Sequence, residues 1–316
     1  MPNSYLPNKT SAETGKQHMK KKIITLIAVF CVASQFVTHS FAFIGGDAHV
    51  QRVGNIEVYT FLDAAVDTPE GWLLDRSREK SGIVVKTGST KGYLNIFAIK
   101  AGGKTVLFDA GLGETSMPGG AGAGGGLFAA LSKVGLSVND IDAVVISHFH
   151  EDHVGGLLSK GEPVFPRAEI FISEIEINSH RASPQWSFLD AYGARVRLFT
   201  PGTEILPGIF AIAAPGHTAG NVVFKVTQGN DSLLLISDLV HFPSYQFADP
   251  SLTVIFDEDP EGAIEARRRI FDMAVAKNIP LAGPHLEFPG VVLLHKEDMG
   301  YSPSPLKHTL GTNLTP

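Results

Sequence analysis

The stretch Ser147-His148-Phe149-His150-Glu151-Asp152-His153-Val154-Gly155-Gly156 decides how this chain of 316 residues is interpreted. It continues the apolar, β-branched run Ala143–Ser147, which predicts a buried strand. Side chains alternate at a strand end, so the first two histidines turn to one side, and the aspartate and third histidine come on the next turn. Burying imidazoles with a carboxylate costs free energy unless a cation satisfies them. A solvated polar loop is the alternative, but the spacing favours metal ligands.

The His-x-His-x-Asp-His pattern with its following glycines resembles the metallo-β-lactamase superfamily. Four further motifs match that family in order, namely Phe108-Asp109-Ala110-Gly111, Pro215-Gly216-His217-Thr218-Ala219-Gly220, Ser237-Asp238 and Gly283-Pro284-His285. The match extends over residues 94–290. It implies an α/β fold, a four-layer αββα sandwich with the metals at one edge of its sheets.

The resemblance also implies a complete ligand set. It assigns His148, His150 and His217 to a first metal, Asp152, His153 and His285 to a second, and Asp238 to a bridge between them. Taken alone, His217 or His285 is more often structural, and Asp238 could cap a turn. A second carboxylate between two divalent ions would, however, relieve their repulsion. Asp109 is expected to hold a ligand histidine by a hydrogen bond.

Two divalent ions are therefore expected, and an imidazole and carboxylate set suits zinc, with manganese, iron and cobalt still open. A water that bridges two such ions becomes hydroxide near neutral pH and attacks a carbonyl or phosphoryl centre. We predict Asp152, Asp238 and His241 as the catalytic residues. His241 could donate a proton to the leaving group, or it could be structural.

The segments after Asp238 resemble one subgroup, which contains methyl-parathion hydrolases and N-acyl homoserine lactonases. They are Asp238–His241, Tyr245–Pro250, the predicted helix Glu261–Lys277 and Pro284–Gly290. Two departures are Phe149, where the subgroup varies, and His241, where short-chain lactonases often have tyrosine. The predicted function is hydrolysis of an ester or lactone, foremost an acyl lactone. The alternative is an organophosphate triesterase; a nonenzymatic metal-binding protein or a flavodiiron-type redox protein fits less well.

Composition narrows the partners. The net charge of −6 and the absence of a Lys/Arg run after the N-terminal region argue against a nucleic-acid substrate. A small apolar ester or lactone is expected, and a homodimer only by analogy with the subgroup. Two or three aromatic side chains should line the pocket. The candidates are Phe61, Trp72, Phe149, Trp186, Phe188, Phe242 and Phe247.

The N-terminus predicts export. Met19–Lys22 is basic, Ile23–Val32 is apolar but too short to span a bilayer, and Ser40-Phe41-Ala42 offers a cleavage site. We expect residues 1–42 to be an N-terminal extension with a cleaved signal peptide, translated from Met1 or Met19. Residues 43–316 would form a single periplasmic or secreted domain without stable membrane insertion; an uncleaved anchor is the alternative. The sole cysteine, Cys31, lies in the signal, which excludes thiolate ligands in the mature protein.

Further elements follow from local patterns. Asp259 and Pro260 predict a helix start, with Ala263, Ile264, Ile270, Phe271 and Ala274 on its buried face and Glu265, Arg267, Arg268 and Asp272 mostly opposite. Another helix is predicted over Leu127–Val134. Strands are predicted at Leu94–Lys100, Thr105–Phe108, Ala168–Ile172, Arg195–Phe199, Ile209–Ala214, Asn221–Val226 and Ser232–Ser237. Met117–Gly126 reads as a mobile loop; Gly119–Gly126 and Thr68–Thr90 are candidates to close the pocket.

Overall fold

A computed structural model describes residues 45–77, 82–114, 125–180 and 187–306. The predicted signal peptide, Trp186 and most of Met117–Gly126 lie outside these residues, so export and periplasmic or secreted location stay predictions. Within the described ranges, no helix is both long and apolar enough to cross a membrane.

The strands are numbered in chain order. They are β1 (Ala48–Val53), β2 (Ile56–Pro69), β3 (Leu73–Asp75), β4 (Ile83–Val84), β5 (Ser89–Ala101), β6 (Lys104–Phe108), β7 (Ala143–Val145), β8 (Leu158–Ser159), β9 (Glu162–Pro163), β10 (Glu169–Ser173), β11 (Val196–Phe199), β12 (Glu204–Leu206), β13 (Ile209–Ala213), β14 (Val222–Gln228), β15 (Asp231–Leu235), β16 (Thr253–Val254), β17 (Leu281–Ala282), β18 (Val291–Lys296) and β19 (Tyr301–Pro305).

The α-helices of the described residues are mostly short. They are α1 (Leu127–Lys133), α2 (Glu151–Val154), α3 (Glu174–Ser179), α4 (Ser187–Tyr192), α5 (Pro243–Gln246) and α6 (Pro260–Lys277). Single turns of 3-10 helix lie at Glu70–Trp72, Val138–Asp140, Gly155–Leu157, Gly193–Arg195 and Ser237–Leu239.

Two large sheets organise the described part of the chain. The first has the strand order β1-β2-β5-β6-β7-β10-β11, and the second has the order β12-β13-β14-β15-β17-β18-β19. Strand pairing is parallel from β6 through β7 and β10 to β11, and again between β15 and β17. Parallel neighbours end at the same edge of a sheet. The loop after β7 in the first sheet meets the loop after β15 in the second, where His148 Nε2 lies 3.7 Å from Asp238 Oδ2. Those loops carry the histidine-rich stretch and Asp238.

Apolar side chains fill three successive layers between and outside the sheets. Phe97, Phe108 and Phe224 belong to the cluster between the two sheets. The outer face of the first sheet packs against α1 and α4, and the outer face of the second packs against α6. The two sheets pack face to face and helices cover their outer faces, which is a helix–sheet–sheet–helix arrangement. The predicted four-layer αββα sandwich is confirmed.

Helix α6 begins and ends as local chemistry dictates. The Asp259 carboxylate accepts a hydrogen bond from the backbone N–H of Gly262 (3.2 Å), and Pro260 occupies the first turn. The helix ends at Asn278, which adopts the left-handed conformation that favours asparagine or glycine. The predicted core positions are buried, except that Ile264 is only partly buried.

One residue of α6 contradicts the sequence prediction. Arg267 was expected on the polar face, yet it is fully buried. Its Nε donates to the carbonyl oxygen of Leu239 (2.5 Å), and its Nη1 donates to those of Pro250 (2.8 Å) and Leu252 (2.7 Å). The loop from Leu239 to Leu252 covers this side of the helix, so carbonyl oxygens instead of water accept the hydrogen bonds of Nε and Nη1. Burial lowers the pKa of Arg267 to about 10.

Several boundaries also differ from the predicted ones. The strand expected over Ala143–Ser147 ends at Val145, because the backbone then turns to place the histidines. The strand expected from Arg195 begins at Val196, after a 3-10 turn. Thr68–Thr90 is not only a loop: it contains β3 and β4, which join β16 in a small three-stranded sheet.

Candidate metal centre

The predicted ligand residues come from four separate segments that meet at one edge of the sheets, and a fifth segment supplies Asp109. Asp109 follows β6, the histidine-rich stretch follows β7, His217 lies between β13 and β14, Asp238 follows β15, and His285 follows β17. Two of the turns require unusual backbone. Asp109 and Ser237 adopt φ values of 63° and 48°, which bend the chain sharply just before the site.

The first group of ligand atoms comprises His148, His150, His217 and Asp238. His150 Nδ1 lies 3.0 Å from His148 Nε2 and 2.9 Å from His217 Nε2. Asp238 Oδ2 lies 3.3 Å from His217 Nε2 and 3.7 Å from His148 Nε2. Three imidazoles and one carboxylate oxygen thus converge on one small volume.

The second group comprises Asp152, His153, Asp238 and His285. His153 Nε2 lies 3.1 Å from Asp238 Oδ1 and 3.6 Å from Asp152 Oδ2. His285 Nε2 lies 3.8 Å from Asp152 Oδ2 and 3.3 Å from Asp238 Oδ2. Asp238 belongs to both groups, which is the position that the sequence analysis predicted for a bridging carboxylate.

Four of the histidine rings are oriented by a hydrogen bond on Nδ1, the outer nitrogen, which faces away from the cluster. Asp109 Oδ2 accepts from His153 Nδ1 (2.9 Å) and from the Ser147 hydroxyl (2.8 Å). Since that hydroxyl donates to Asp109, its lone pair is free to accept from His148 Nδ1 (3.0 Å). The Asp109 role predicted from the sequence, a hydrogen-bond partner of a ligand histidine, agrees with this geometry.

Two further outer partners were missed by the sequence analysis. Asp257, whose side chain is fully buried, accepts from His217 Nδ1 (3.0 Å). The Tyr93 carbonyl oxygen accepts from His285 Nδ1 (2.8 Å). Nothing in the run Asp257-Glu258-Asp259 distinguishes its first carboxylate, and a backbone carbonyl leaves no mark on a sequence.

These outer bonds test whether divalent cations fit. When His148, His153, His217 and His285 each donate from Nδ1, their Nε2 lone pairs all face inward. Among the described residues, His153 Nε2 and Asp238 Oδ1 have no hydrogen-bond partner although both are buried. Inward lone pairs and carboxylate oxygens, left unsatisfied by protons, are the donor set that divalent metals take. The residues therefore fit two cations.

The pKa shifts of the clustered histidines also indicate a site for cations. Burial alone would lower the pKa of His217, but Asp238 and Asp257 raise it to about 9. Burial likewise opposes the charge on His153, while Asp238, Asp152 and Asp109 raise its pKa well above the ordinary value. By contrast, burial and the neighbouring His217 lower the pKa of His150 to about 4. The aspartates thus create a negative potential within the cluster, which favours the binding of positive charge.

His241 lies beside the cluster instead of within either ligand group. Its Nε2 is 3.1 Å from Asp238 Oδ2, and its ring stacks on His285 with centroids 5.0 Å apart. The Gln246 side-chain oxygen accepts from the backbone N–H of His241 (2.7 Å) and fixes this turn. Burial lowers the pKa of His241, with Asp238 opposing the shift.

A cavity of about 320 Å³ opens over the cluster. Its floor includes His150, Asp152, His217, Asp238, His241 and His285. Its walls are mainly apolar and include Val66, Trp72, Leu112, Phe242 and Phe256. Trp72 and Phe256 meet edge to face with ring centroids 5.0 Å apart. The volume and the mixture of an apolar wall with a polar floor are typical of a small-molecule site.

The aromatic predictions are confirmed in part. Trp72 and Phe242 line the cavity, within the two or three expected. Phe61, Phe149, Phe188 and Phe247 are instead buried core residues. Phe256 was missed, because its place in the wall depends on the pairing of β16 with β3, which brings it beside Trp72.

The fold and sequence place this chain in a family. Residues 89–282 match the metallo-beta-lactamase superfamily, and the chain belongs to that superfamily. The chain is 27% identical over 154 residues to the N-acyl homoserine lactonase AiiA of Bacillus thuringiensis subsp. kurstaki, a match that covers 48% of this chain and 58% of that protein. It therefore spans a little over half the length of the curated relatives it matches.

Solved structures share the fold. The hydrolase AbOPH superposes with a TM-score of 0.72 at 22% identity, covering 83% of this chain and 98% of that one. AidC, a dizinc quorum-quenching lactonase, superposes with a TM-score of 0.71 at 23% identity, covering 86% of this chain and 99% of that one. At these identities the similarity establishes a common fold.

Proposed function

We propose that this protein is a zinc-dependent hydrolase that opens acyl lactones. The observation that carries the proposal is the position of the apolar cavity directly over the seven-residue cluster. An acyl chain needs such a wall, and a lactone carbonyl needs the polar floor beneath it. Zinc is proposed because the donors are imidazoles and carboxylates in two groups of four.

Bound divalent ions would lower the pKa of a water and polarise the substrate carbonyl. The chain's own residues would do the rest. Asp238 and Asp152 accept hydrogen bonds from the attacking water and orient it toward the carbonyl carbon. The cavity walls exclude bulk water, so the electrostatic interactions on the floor are stronger than in solvent.

His241 is proposed to give the leaving alkoxide a proton from Nε2 as the imidazolium, which leaves the neutral ring that its lowered pKa favours. That atom faces Asp238 on the cavity floor, within reach of a leaving group that departs beside the carboxylate. His241→Phe keeps the stacked ring but removes the proton. We expect kcat for lactones to fall about 10²-fold or more, the lower range of general acid catalysis. An aryl ester or aryl phosphotriester, whose leaving group needs no proton, should lose far less.

The measurement compares kcat of His241→Phe on both substrate types, together with zinc content per chain. Equal losses on both substrates, or loss of zinc, would show that His241 supports the fold of the site and would contradict the proton-donor role.

The substrate proposal is tested with the full chain loaded with zinc. N-acyl homoserine lactones from butanoyl to dodecanoyl would be supplied, with proton release on ring opening as the signal. We expect kcat/KM to rise with chain length. Phe256→Ala should reduce it by about tenfold for the long chain and little for the short one, in line with apolar discrimination of 1–3 kcal/mol.

Phe128→Ala is the matched control, because Phe128 is exposed to 37% and Phe256 to 36%, but Phe128 lies on α1 and does not line the cavity. Turnover of aryl phosphotriesters without lactone turnover would replace acyl lactones by phosphotriesters as the substrate class. Chelation should abolish either activity, and zinc should restore it. Activity that survives complete metal removal would contradict the metal-dependent mechanism.

A further inference from the structure

Glu176 is a buried carboxylate that neither proposed ligand group uses. It lies in α3, directly after β10, and its side chain is 1% exposed. Strand β10 runs parallel to β7, so α3 begins at the same edge from which the histidine-rich stretch emerges. Burying a carboxylate costs free energy unless hydrogen-bond donors satisfy it, so the donors around Glu176 indicate its role.

The hydrogen-bond donors to the Glu176 carboxylate come from two loops, and His180 of the same helix also places its Nδ1 3.4 Å from Oε1. Oε1 accepts the backbone N–H of Phe149 (2.9 Å), the residue between His148 and His150. Oε2 accepts the Thr218 hydroxyl (2.8 Å) and the backbone N–H of Gly220 (3.0 Å). Thr218 directly follows His217. One carboxylate therefore joins the two loops that present the three histidines of the first group.

The loop that carries His217 packs closely against α3. A Cβ added at Gly220 would come within 2.2 Å of the backbone nitrogen of Glu176, so glycine is required there. Without that contact, the Gly220 N–H could not reach the carboxylate. The last glycine of the Pro215–Gly220 motif thus lets the His217 loop pack against the first turn of α3.

We propose that Glu176 is a positioning residue for the first metal. Its carboxylate holds the His148–His150 loop and the His217 loop at a fixed separation, so the three imidazoles are preorganised before a metal arrives. Outer partners of this kind typically change metal affinity by about 10- to 100-fold. The second group of ligands has no hydrogen bond to Glu176 among the described contacts, so its affinity should not change.

Glu176→Gln tests the proposal. An amide has one acceptor oxygen and one NH₂ group, so it can serve the Phe149 N–H or the Gly220 N–H but not both. One loop is then released. The control is Glu174→Gln on the same helix, because among the described residues Glu174 accepts a hydrogen bond from the Thr200 hydroxyl (2.7 Å) at an exposed position and none from either loop.

Each variant is made in two backgrounds that isolate one metal group. His285→Ala impairs the second group, and the zinc affinity of the first is measured by chelator competition. There, Glu176→Gln should weaken zinc binding about 10- to 100-fold, while Glu174→Gln should leave it unchanged. His148→Ala impairs the first group instead. In that background the zinc affinity of the second group is measured, and Glu176→Gln should not change it.

A purely structural role makes a different prediction. In that case Glu176→Gln would lower the melting temperature of the metal-free protein. In each background, zinc affinity would be the same with and without Glu176→Gln, and the proposal would be overturned. If Glu176→Gln does not fold, Thr218→Val removes only one of the three bonds and should shift affinity in the same direction, by less. A wild-type chain that binds no zinc would overturn the proposed function as well, which separates the two failures.

Discussion

Replacement of His148 by alanine is expected to abolish hydrolysis and to leave at most one tightly bound metal per chain. His148 is fully buried, its Nε2 faces His150 and Asp238, and its Nδ1 is held by Ser147. Alanine would leave the first group with two imidazoles. Since bound metal stabilises developing charge by several kcal/mol, turnover should fall by on the order of 10³-fold or more.

The measurement pairs initial rates with metal content after dialysis. His295→Ala is the control, since His295 is an exposed histidine on β18, outside both metal groups, whose Nε2 lies 2.8 Å from the Ser304 hydroxyl. The control should retain both metals and full activity. A His148→Ala protein with wild-type rates and two metals would show that the ligand assignment is wrong.

The largest expected effect on stability comes from Arg267→Met. Methionine fills similar space but cannot donate, so the carbonyls of Leu239 and Pro250 lose a buried partner. The Leu252 carbonyl keeps its bond from the Gln246 side chain (3.1 Å). The buried carboxylate of Asp257 also loses a stabilising positive charge. Removing one partner from such a buried arrangement costs about 3–5 kcal/mol.

Urea unfolding of the metal-free protein measures this loss. Arg268→Met is the matched control, because Arg268 is the next residue of α6 and is exposed. It should change the free energy of unfolding by less than about 0.5 kcal/mol. Equal unfolding midpoints for the two variants would show that the Leu239–Leu252 loop does not depend on Arg267. A real loss should also reduce activity, since that loop carries His241 and Phe242.

Helix α6 illustrates how far local sequence patterns carry. Its capping residues and apolar spacing predicted the start and most of the buried face, because both depend on neighbours within a few residues. The same pattern failed for Arg267, since a charged side chain is assigned to solvent unless a distant loop supplies carbonyls. The loop that does so is separated from Arg267 by 15–28 residues in the chain.

The cluster shows the same division. Four of the five motifs contain every residue that the structure gathers into the two candidate metal groups, because imidazoles and carboxylates in that spacing have few other uses. The hydrogen-bond partners of these residues were predicted only in part. Asp109 was expected from its motif, whereas Asp257, the Tyr93 carbonyl and Glu176 were not, since each acts through a contact between segments far apart in sequence.

The sequence by itself determined the fold class, the family and the side chains that face the centre, because these depend on residue chemistry repeated at short spacings. Only the tertiary structure decided which carboxylates besides Asp109 orient the histidines, which aromatic rings line the cavity and which arginine is buried. Trp72 and Phe256 meet through strand pairing, and Glu176 joins two loops across the sheet edge. Such contacts have no signature in local sequence, because the distance between two side chains in space is set by packing rather than by their separation along the chain.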